Sequence, residues 1–402
     1  MNKKIFMIGW EYPPYIIGGL GRVCYHLTKE LVNKELEVIF LTPFPIDKKD
    51  ERVKFISPKL KIVKIGSWIN PYYYEKKKCN ISIQGVNGVY YENILEEVKR
   101  FTKECEKIIR EEEFDIIHCH DWMTFEAGIL AKKIKKKPLV VHVHSTELDR
   151  GCGLGICKEI FEIERKAFEE ADKIITVSNF MKNKIMEFYN VQENKIEVVH
   201  NAFGKYRMDD KEKKENKSSI SKLIKNKKVV LYLGRVTLQK GPEYFLRAAK
   251  IVSDFYKDVV FVFAGYGELL TKMIELACEL GIIDKVIFTG YLKDEEVEYL
   301  YRIADVYVMP SVSEPFGITA LEAAFYGNPT IISKNSGVKE VLKNSILIDF
   351  WDVRDIANKI LAVLNYDVLN EVLKENGRKD VEKITWSMQT EKIINNIYEK
   401  LW

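Results

Sequence analysis

Two carboxylates eight positions apart frame the stretch with the clearest chemical character in this chain of 402 residues. Glu314 opens a Glu-Pro-Phe-Gly turn, and Glu322 lies in the Leu-Glu-Ala run that follows. The pattern predicts a helix over residues 317–326, ended by Gly327 and Pro329, and then a buried strand over residues 330–332. Small and apolar side chains pack this helix, and we expect the two acids outside the packed face.

The start of this helix is suited to an anion. Backbone N–H groups at a helix N-terminus have no partner inside the helix and carry the positive end of its dipole. Gly317 lets a ligand approach the main chain closely. Glu314 and Glu322 can accept hydrogen bonds from hydroxyl groups on both sides of a bound phosphate, which describes a sugar nucleotide. The alternative is a strand-turn-helix that merely carries two solvated acids.

A second loop carries two cations. A predicted strand over residues 228–233 is followed by Gly234-Arg235 and then by Gln239-Lys240-Gly241. A diphosphate brings about two negative charges that its site must offset, and Arg235, Lys240 and helix starts can offset them. Because we find no Asp-x-Asp motif to hold a cation, we expect no metal ion and no cofactor. A solvated Arg and Lys are the alternative.

Histidines end two predicted strands in the first half of the chain. His118-Cys119-His120-Asp121-Trp122 closes one strand, and His144 closes the next, over residues 138–144. Ligands collect at the carboxyl ends of parallel strands. His118 and His120 share one side of their strand, so a metal pair could form there. Since no third ligand lies near in sequence, we interpret them as a core histidine and a cleft residue.

These motifs resemble those of retaining glycosyltransferases with the GT-B fold, in particular the family-4 glycosyltransferases and the glycogen and starch synthases. The resemblance covers most of the chain. It rests on four motifs: Pro-Pro-x-x-x-Gly-Gly-Leu at 13–20, His-x-His-Asp-Trp at 118–122, Gly-Arg-x-x-x-x-Lys-Gly at 234–241 and Glu-Pro-Phe-Gly-x-x-x-Leu-Glu-Ala at 314–323. One departure is Ile16, where bacterial glycogen synthases carry a lysine.

The resemblance implies an α/β fold of two Rossmann-like domains that face each other across a cleft. We expect an N-terminal acceptor domain over 1–204, a C-terminal nucleotide-sugar donor domain over 205–380, and a helix over 381–402 that crosses back to the first domain. Residues 205–227 are polar and are interpreted as a solvated hinge segment. Aromatic residues within 45–100 could stack on an acceptor carbohydrate or pack beneath a loop.

The resemblance also implies residue roles. Arg235 and Lys240 would hold the diphosphate, Glu314 and His144 would face the transferred sugar, and Glu322 would accept from the ribose. His120 and Asp121 would lie on the acceptor side. Gly19 would complete the site only when the cleft closes. The other donor contacts are expected at Gly18, Gly19, Gly265, Tyr291, Phe316, Gly317, Ile318 and Thr319.

The activity implied is a retaining transfer of a hexose from a nucleoside diphosphate sugar, UDP- or ADP-glucose, to an acceptor hydroxyl. An α-1,4-glucan is the leading acceptor, and a lipid or cell-surface glycan is the alternative. A sugar-nucleotide epimerase with the same fold would turn over donor without acceptor. A non-catalytic nucleotide-sugar-binding module would show neither hydrolysis nor transfer.

Composition and charge indicate which other kinds of partner the chain could bind and where it would be located. The chain has 63 basic and 59 acidic residues and a net charge of +4, which argues against nucleic-acid binding. Seven scattered cysteines, no signal peptide and no apolar run of membrane-spanning length predict a cytoplasmic protein with reduced thiols. Oligomeric state is not predicted. One basic cluster leaves peripheral membrane contact open, although a solvated helix end is the favoured interpretation: Lys132, Lys133, Lys135, Lys136 and Lys137.

Overall fold

The computed structural model of the chain describes residues 3–13, 18–43, 53–56, 94–153, 155–204 and 224–402. The chain forms two compact units. The first unit comprises Met1–Met208 together with Trp386–Trp402, and the second comprises Asp209–Thr385. Each unit contains one parallel sheet and its surrounding helices.

The described residues of the first unit form a seven-stranded parallel sheet in the order β3-β2-β1-β4-β5-β6-β7. Its strands are β1 Lys4–Ile8, β2 Glu37–Leu41, β3 Val53–Ile56, β4 Ile116–His120, β5 Leu139–Val143, β6 Lys173–Thr176 and β7 Ile196–Val198. The helices between them are α1 Gly19–Asn33, α2 Ile94–Glu111, α3 Trp122–Lys135, α4 Glu147–Gly151, α5 Lys158–Glu170 and α6 Asn179–Tyr189.

In the second unit, residues 224–385 include a six-stranded parallel sheet in the order β10-β9-β8-β11-β12-β13. Its strands are β8 Lys228–Leu233, β9 Val259–Ala264, β10 Val286–Gly290, β11 Val306–Met309, β12 Thr330–Ser333 and β13 Ile346–Ile348. Its helices are α7 Pro242–Phe255, α8 Leu270–Glu279, α9 Asp294–Ile303, α10 Ile318–Phe325, α11 Val353–Asn365 and α12 Asp367–Glu382.

Strand order places the candidate motifs. Residues 5–8 of β1 and 259–264 of β9 are almost fully buried, as expected of parallel strands covered by helices on both faces. The order of strands reverses between β1 and β4 in the first unit, and between β8 and β11 in the second. Ligands bind open α/β sheets outside the carboxyl ends of the strands at such a switch point. The described residues of the four sequence motifs lie at or after the carboxyl ends of β1, β4, β8 and β11.

The end of the chain belongs to the first unit. Helix α13, Trp386–Ile393, continues through a π-helical turn, Ile394–Tyr398, into the short helix Glu399–Leu401. The segment that the resemblance expected to cross back therefore packs on the first unit, beginning at Trp386. Its buried side chains join core residues of the sheet: Ile393, Ile397 and Tyr398 with Ile5 and Met7.

The predicted elements are present in the structure. The helix expected over 317–326 is α10, the strand over 330–332 is β12, the strand over 228–233 is β8, and the strand over 138–144 is β5. His144 therefore lies one residue beyond its strand. Strand β3 and helices α4 and α12 were missed. The aromatic stretch between 57 and 93 and the polar segment 205–223 lie outside the described residues.

The basic cluster around α3 is largely paired. Lys132 lies 2.8 Å from Asp172, Lys135 lies 2.7 Å from Glu113, and Lys137 lies 3.9 Å from Asp115. These ion pairs fit the solvated helix end better than a membrane patch. Among the residues that the structure describes, none of the helices has the length and apolar character to cross a bilayer. The six described cysteines are free thiols.

Candidate active site

The loops after β8 and β11 meet through an ion pair. The Lys240 ammonium donates to Glu314 Oε2 at 2.5 Å, and the Ser311 hydroxyl donates to the same oxygen at 3.2 Å. The Lys240 and Glu314 side chains are only 20% and 8% exposed. The two residues that sequence analysis assigned to the diphosphate and to the sugar are therefore direct partners, a contact that it did not predict.

The Glu314 turn is also fixed by its backbone. Its N–H donates to the Asn335 carbonyl at 2.9 Å, and its carbonyl accepts from Gly337 N–H at 3.0 Å. The Phe316 carbonyl accepts from Val338 N–H at 2.7 Å. These bonds tie the turn to the segment after β12, so the start of α10 is held at the carboxyl edge of the sheet.

Two glycines let the cation-bearing loop pack this closely. A Cβ on Gly241, whose φ is +61°, would lie 1.9 Å from the Pro310 carbonyl oxygen, and a Cβ on Gly265, whose φ is +137°, would lie 1.8 Å from the Gly234 oxygen. Other residues rarely adopt these φ values, and no side chain fits the space. The Gly-Arg-x-x-x-x-Lys-Gly loop is therefore wedged between the loops that follow β9 and β11.

Arg235 lies in the same electrostatic neighbourhood. Burial raises the pKa of the Tyr232 hydroxyl, and the charges of Glu314, Arg235 and Glu268 act on it as well. The pKa of Glu268 is raised by burial and lowered in part by Arg235. The second unit thus gathers two cations and two carboxylates around the ends of β8, β9 and β11.

Glu322 is buried, which corrects the expectation that both acids lie outside the packed face. Glu314 and Glu322 are 6% and 7% exposed. Burial of a carboxylate requires hydrogen-bond partners, and Tyr301 OH supplies one to Glu322 Oε2 at 2.9 Å. Tyr307 OH donates to the Thr319 hydroxyl at 2.8 Å. These tyrosines were missed because they lie on α9 and β11, at sequence positions that look like ordinary core.

The other residues of the second unit that sequence analysis assigned to the donor follow strands of the same sheet. Gly317 caps α10, and Ile318 and Thr319 open it, behind the buried ring of Phe316. Tyr291 follows β10 and is 70% exposed. Gly265 N–H donates to the Gly290 carbonyl at 3.1 Å, which joins the loops after β9 and β10.

The glycine turn of the first unit surrounds a carboxylate that sequence analysis did not single out. Glu11 is buried, and its Oε2 accepts from Gly18 N–H at 3.2 Å and Gly21 N–H at 3.3 Å. Gly18 caps α1, and Gly19 is its exposed first residue. A glutamate between a strand end and a Pro-Pro-x-x-x-Gly-Gly turn was the available signal, because N–H groups at a helix start attract carboxylates.

Asp121 holds the segment that carries His144. Its Oδ1 accepts from His144 N–H at 2.7 Å and from Ser145 N–H at 3.4 Å. Burial raises the pKa of Asp121 to about 7. Its backbone has φ of 59°, which is uncommon for a residue other than glycine and marks a constrained position. His120 Nδ1 lies 3.0 Å from His144 Nε2, so all three predicted residues are in direct contact.

A buried charge cluster secures the residues that follow His144. Arg150 pairs with Glu147 at 3.0 Å and with Glu164 at 2.7 Å. Glu164 also accepts from Glu147 N–H at 2.9 Å and from the Tyr189 hydroxyl. The cluster fixes α4 against α5, and it was missed because its members are spread over residues 147–189.

No third histidine lies near His118 and His120 in sequence, but the structure brings His142 close to them in space. β5 lies beside β4 with His142 opposite His120, and ring nitrogens of His118, His120 and His142 lie within 4.8 Å of one another. The sequence did not indicate this group because His142 lies on a neighbouring strand, more than 20 positions from His118 and His120.

Comparisons with known proteins agree with this architecture. Residues 17–203 match the model of Glycosyltransferase Family 4, and residues 213–380 match that of Glycosyl transferases group 1. The chain is 32% identical over 404 residues to an uncharacterized glycosyltransferase of Methanocaldococcus jannaschii, covering 98% of this chain and 97% of that protein.

Two further likenesses are more distant. A glycogen synthase of Mycobacterium tuberculosis is 25% identical over 370 residues, covering 90% of this chain and 85% of that one. The crystal structure of Anabaena HepE in complex with UDP and glucose has a TM-score of 0.73 at 16% identity, covering 99% of this chain and 100% of that one. With the two parallel sheets and the matched family models, these findings show that the chain belongs to the family-4 glycosyltransferases and has the GT-B fold.

Proposed function

We propose that this glycosyltransferase moves glucose from a nucleoside diphosphate glucose, UDP- or ADP-glucose, to a hydroxyl of an α-1,4-glucan with retention of configuration. The observation that carries the proposal is the ion pair between Lys240 and Glu314 at the carboxyl ends of β8 and β11. Lys240 is a cation suited to a diphosphate, and Glu314 is a carboxylate that can accept hydrogen bonds from sugar hydroxyls. Likeness to a glycogen synthase and to a protein crystallised with UDP and glucose supports the choice of donor and acceptor.

In this proposal the second unit holds the donor. Arg235 and Lys240 stabilise the charge that grows on the diphosphate as it leaves, in an arrangement set before the reaction begins. Backbone N–H groups at residues 316–318 add to it. Glu322, oriented by Tyr301, accepts from ribose hydroxyls, and Glu314 accepts from sugar hydroxyls. The base rests on the loops of Gly265 and Tyr291.

The first unit supplies the sugar- and acceptor-side groups. Burial lowers the pKa of His144 to about 3, so its imidazole is neutral at ordinary pH. His144 contacts the transferred sugar and is positioned by His120 and Asp121. The bond from the anomeric carbon to the phosphate oxygen breaks, the acceptor oxygen bonds to that carbon on the same face, and the acceptor proton passes to the departing phosphate. No metal ion or cofactor takes part in this step.

The test is a panel of donors and acceptors. UDP-glucose and ADP-glucose are each incubated with glycogen, maltooligosaccharides, a lipid extract or no acceptor, and Mg²⁺ is varied in parallel. We expect chain extension on glucans, an α-linked product by NMR, and a rate that does not depend on Mg²⁺. A β-linked product would contradict retention.

The other outcomes separate the alternatives. Product on the lipid extract alone would replace the glucan with a lipid-linked acceptor. Turnover without acceptor to an epimer would identify an epimerase. Donor binding without turnover under any condition would identify a binding module. Lys240→Ala serves as the inactive control.

A further inference from the structure

Four of the six histidines in this chain lie together on one face of the first sheet. His118 and His120 alternate along β4, and His142 and His144 alternate along β5 and its end, so all four side chains point the same way. Their rings stack, with centroids 4.3 Å apart for His142 and His144 and 4.7 Å apart for His118 and His120. The rings of His118, His120 and His142 are almost completely buried.

The hydrogen bonds within this histidine cluster leave several ring nitrogens unused. His118 Nδ1 lies 2.5 Å from Tyr398 OH, His118 Nε2 lies 3.2 Å from His142 Nδ1, and His120 Nδ1 lies 3.0 Å from His144 Nε2. Among the described residues, His120 Nε2, His142 Nε2 and His144 Nδ1 are buried without a partner. Each such atom costs about 1–3 kcal/mol, and the two on His120 and His142, which lie opposite each other on β4 and β5, call for a shared ligand.

We propose that His118, His120 and His142 bind one divalent transition-metal ion of the zinc class. The three residues offer ring nitrogens that all lie within 4.8 Å of one another. Two nitrogens bound to tetrahedral zinc lie about 3.3 Å apart, close to the 3.2 Å between His118 Nε2 and His142 Nδ1. Imidazole is a preferred ligand of zinc, copper and nickel.

The assignment of nitrogens follows from their partners. Tyr398 occupies Nδ1 of His118, which leaves Nε2 for the ion. His144 occupies Nδ1 of His120, which also leaves Nε2. His142 offers either nitrogen. Ligating histidines commonly use their second nitrogen to hold a hydrogen bond that fixes the ring, and Tyr398 and His144 supply such bonds here.

The three rings are shielded from water, with His118, His120 and His142 only 0%, 0% and 2% exposed. The ion would cross-link β4 and β5, and through Tyr398 it would strengthen the attachment of the C-terminal segment. His144 is not one of the three ligands, and because zinc binding is measured without donor or acceptor, its outcome is read separately from that of the proposed transfer.

The experiment is zinc binding to tag-free protein, with neither donor nor acceptor present. The chain is stripped with a chelator, dialysed and titrated with Zn²⁺ alone, and metal content is measured by elemental analysis. Co²⁺ is then substituted and its visible absorption recorded. We expect one zinc per chain and nitrogen-ligated cobalt bands. Absence of stoichiometric zinc, or equal binding by the urea-unfolded chain, would overturn the proposal.

Variants locate the ion. His142→Gln should weaken zinc binding by more than about 100-fold, and Tyr398→Phe, which removes only a hydroxyl, by about 10-fold. His200→Gln changes a histidine outside the cluster and should bind like the wild type. Unchanged affinity in His142→Gln would contradict the site.

Thermal unfolding tests zinc binding even if a variant is less stable than the wild type. Because zinc binds the folded protein, it should raise the midpoint of thermal unfolding of the wild type. It should not change the midpoint of His142→Gln. Because each protein is compared with itself, a lower starting stability does not affect the test. A midpoint of the wild type that zinc does not raise would count against the site.

Discussion

At the scale of single residues, the Lys240–Glu314 pair determines how variants of this site behave. Both side chains are mostly buried. Removing one partner of a buried pair leaves an uncompensated charge and typically costs about 3–5 kcal/mol. A change that only removes activity must therefore preserve the packing and the hydrogen bonds of the pair.

Glu314→Gln meets this requirement, because glutamine keeps the shape and an oxygen that Ser311 and Lys240 can still reach. We expect kcat/KM for transfer to fall by at least about 100-fold, while the free energy of unfolding falls by only about 1–2 kcal/mol. Initial rates and urea unfolding measure the two effects.

A matched control and a double variant sharpen this test. Lys250→Ala breaks an exposed pair with Asp254, of similar length at 2.7 Å, and should change neither quantity appreciably. Lys240→Met combined with Glu314→Gln should recover stability relative to Lys240→Ala but no activity. Full transfer by Glu314→Gln would remove this residue from the proposed site.

His26 makes the first unit sensitive to acid. Its ring is buried, stacks on Trp386 with centroids 5.5 Å apart, and lies near Lys29 and Arg22. Burial lowers its pKa from 6.5 to about 4; a hydrogen bond with the Gly204 backbone opposes this shift, and the nearby cations add to it slightly. Between these values the unfolded chain takes up the proton first. The free energy of unfolding is therefore unaffected above about pH 6.5 and falls as the pH drops towards 4.

We expect His26→Phe, which keeps a ring against Trp386, to lose about 2 kcal/mol less stability than the wild type between about pH 7 and 4.5. Urea unfolding at the two pH values measures the difference. The four clustered histidines titrate alike in both proteins and cancel. Parallel losses in both proteins would show that His26 does not bind the proton differently in the two states.

Sequence reasoning named candidate residues that the structure brings together, but it did not predict their partners. Lys240 and Glu314 were identified because each sits in a short motif that joins a strand end to a helix. Their mutual pairing, and the bond from Tyr301 to Glu322, depend on which loops are neighbours, and strand order is not encoded locally. Glu11, the Arg150 cluster and the third histidine were missed for the same reason.

At the scale of elements, the loop from Gly234 to Gly241 depends on the absence of a side chain at its end. Gly241 and Gly281 have nearly equal φ values, +61° and +66°. A Cβ on Gly241 would strike the Pro310 carbonyl at 1.9 Å, whereas no atom of the described residues lies within 4 Å of a Cβ on Gly281. The two positions therefore separate steric conflict from backbone strain.

Both alanine variants should lose about 1–2 kcal/mol of stability because alanine disfavours the left-handed backbone conformation. Gly241→Ala should lose about 1–3 kcal/mol more from the clash, and its donor affinity should fall because Lys240 moves with the loop. Urea unfolding and donor titration test this. Equal losses of stability in the two variants would mean that Pro310 moves away from the new side chain without a measurable loss of stability.

Elements with a strong local pattern were predicted, and elements held by distant contacts were not. Strands such as β8 and β9 are continuous apolar runs between turn residues, so their positions can be predicted from the sequence. Helix α4 has five residues and depends on buried ion pairs with Glu164. Helix α12 is mostly polar, and Gly377 lies within it, which weakens the helical pattern.

At the scale of the whole molecule, the first unit is assembled from both ends of the chain. Ile397 is fully buried there. Ile397→Ala should cost about 2–5 kcal/mol, and because this residue contacts the core of the first unit, amide hydrogen exchange should rise in peptides of that unit and not in residues 224–385. Mass spectrometry after deuterium labelling measures both.

Ser387→Ala, an exposed change on α13, is the control and should leave exchange unchanged. Faster exchange throughout the second unit in Ile397→Ala would show that the two units unfold together.

The return of residues 386–402 to the first sheet has a consequence during synthesis. A ribosome delivers Ile393, Ile397 and Tyr398 only after the whole second unit has been made, so the nascent sheet waits with the apolar surface of Ile5 and Met7 unfinished. The later unit can complete its own core first. A chain that lacked residues 386–402 would therefore leave the first sheet without the side chains that pack on Ile5 and Met7, whereas the second unit would retain its own core.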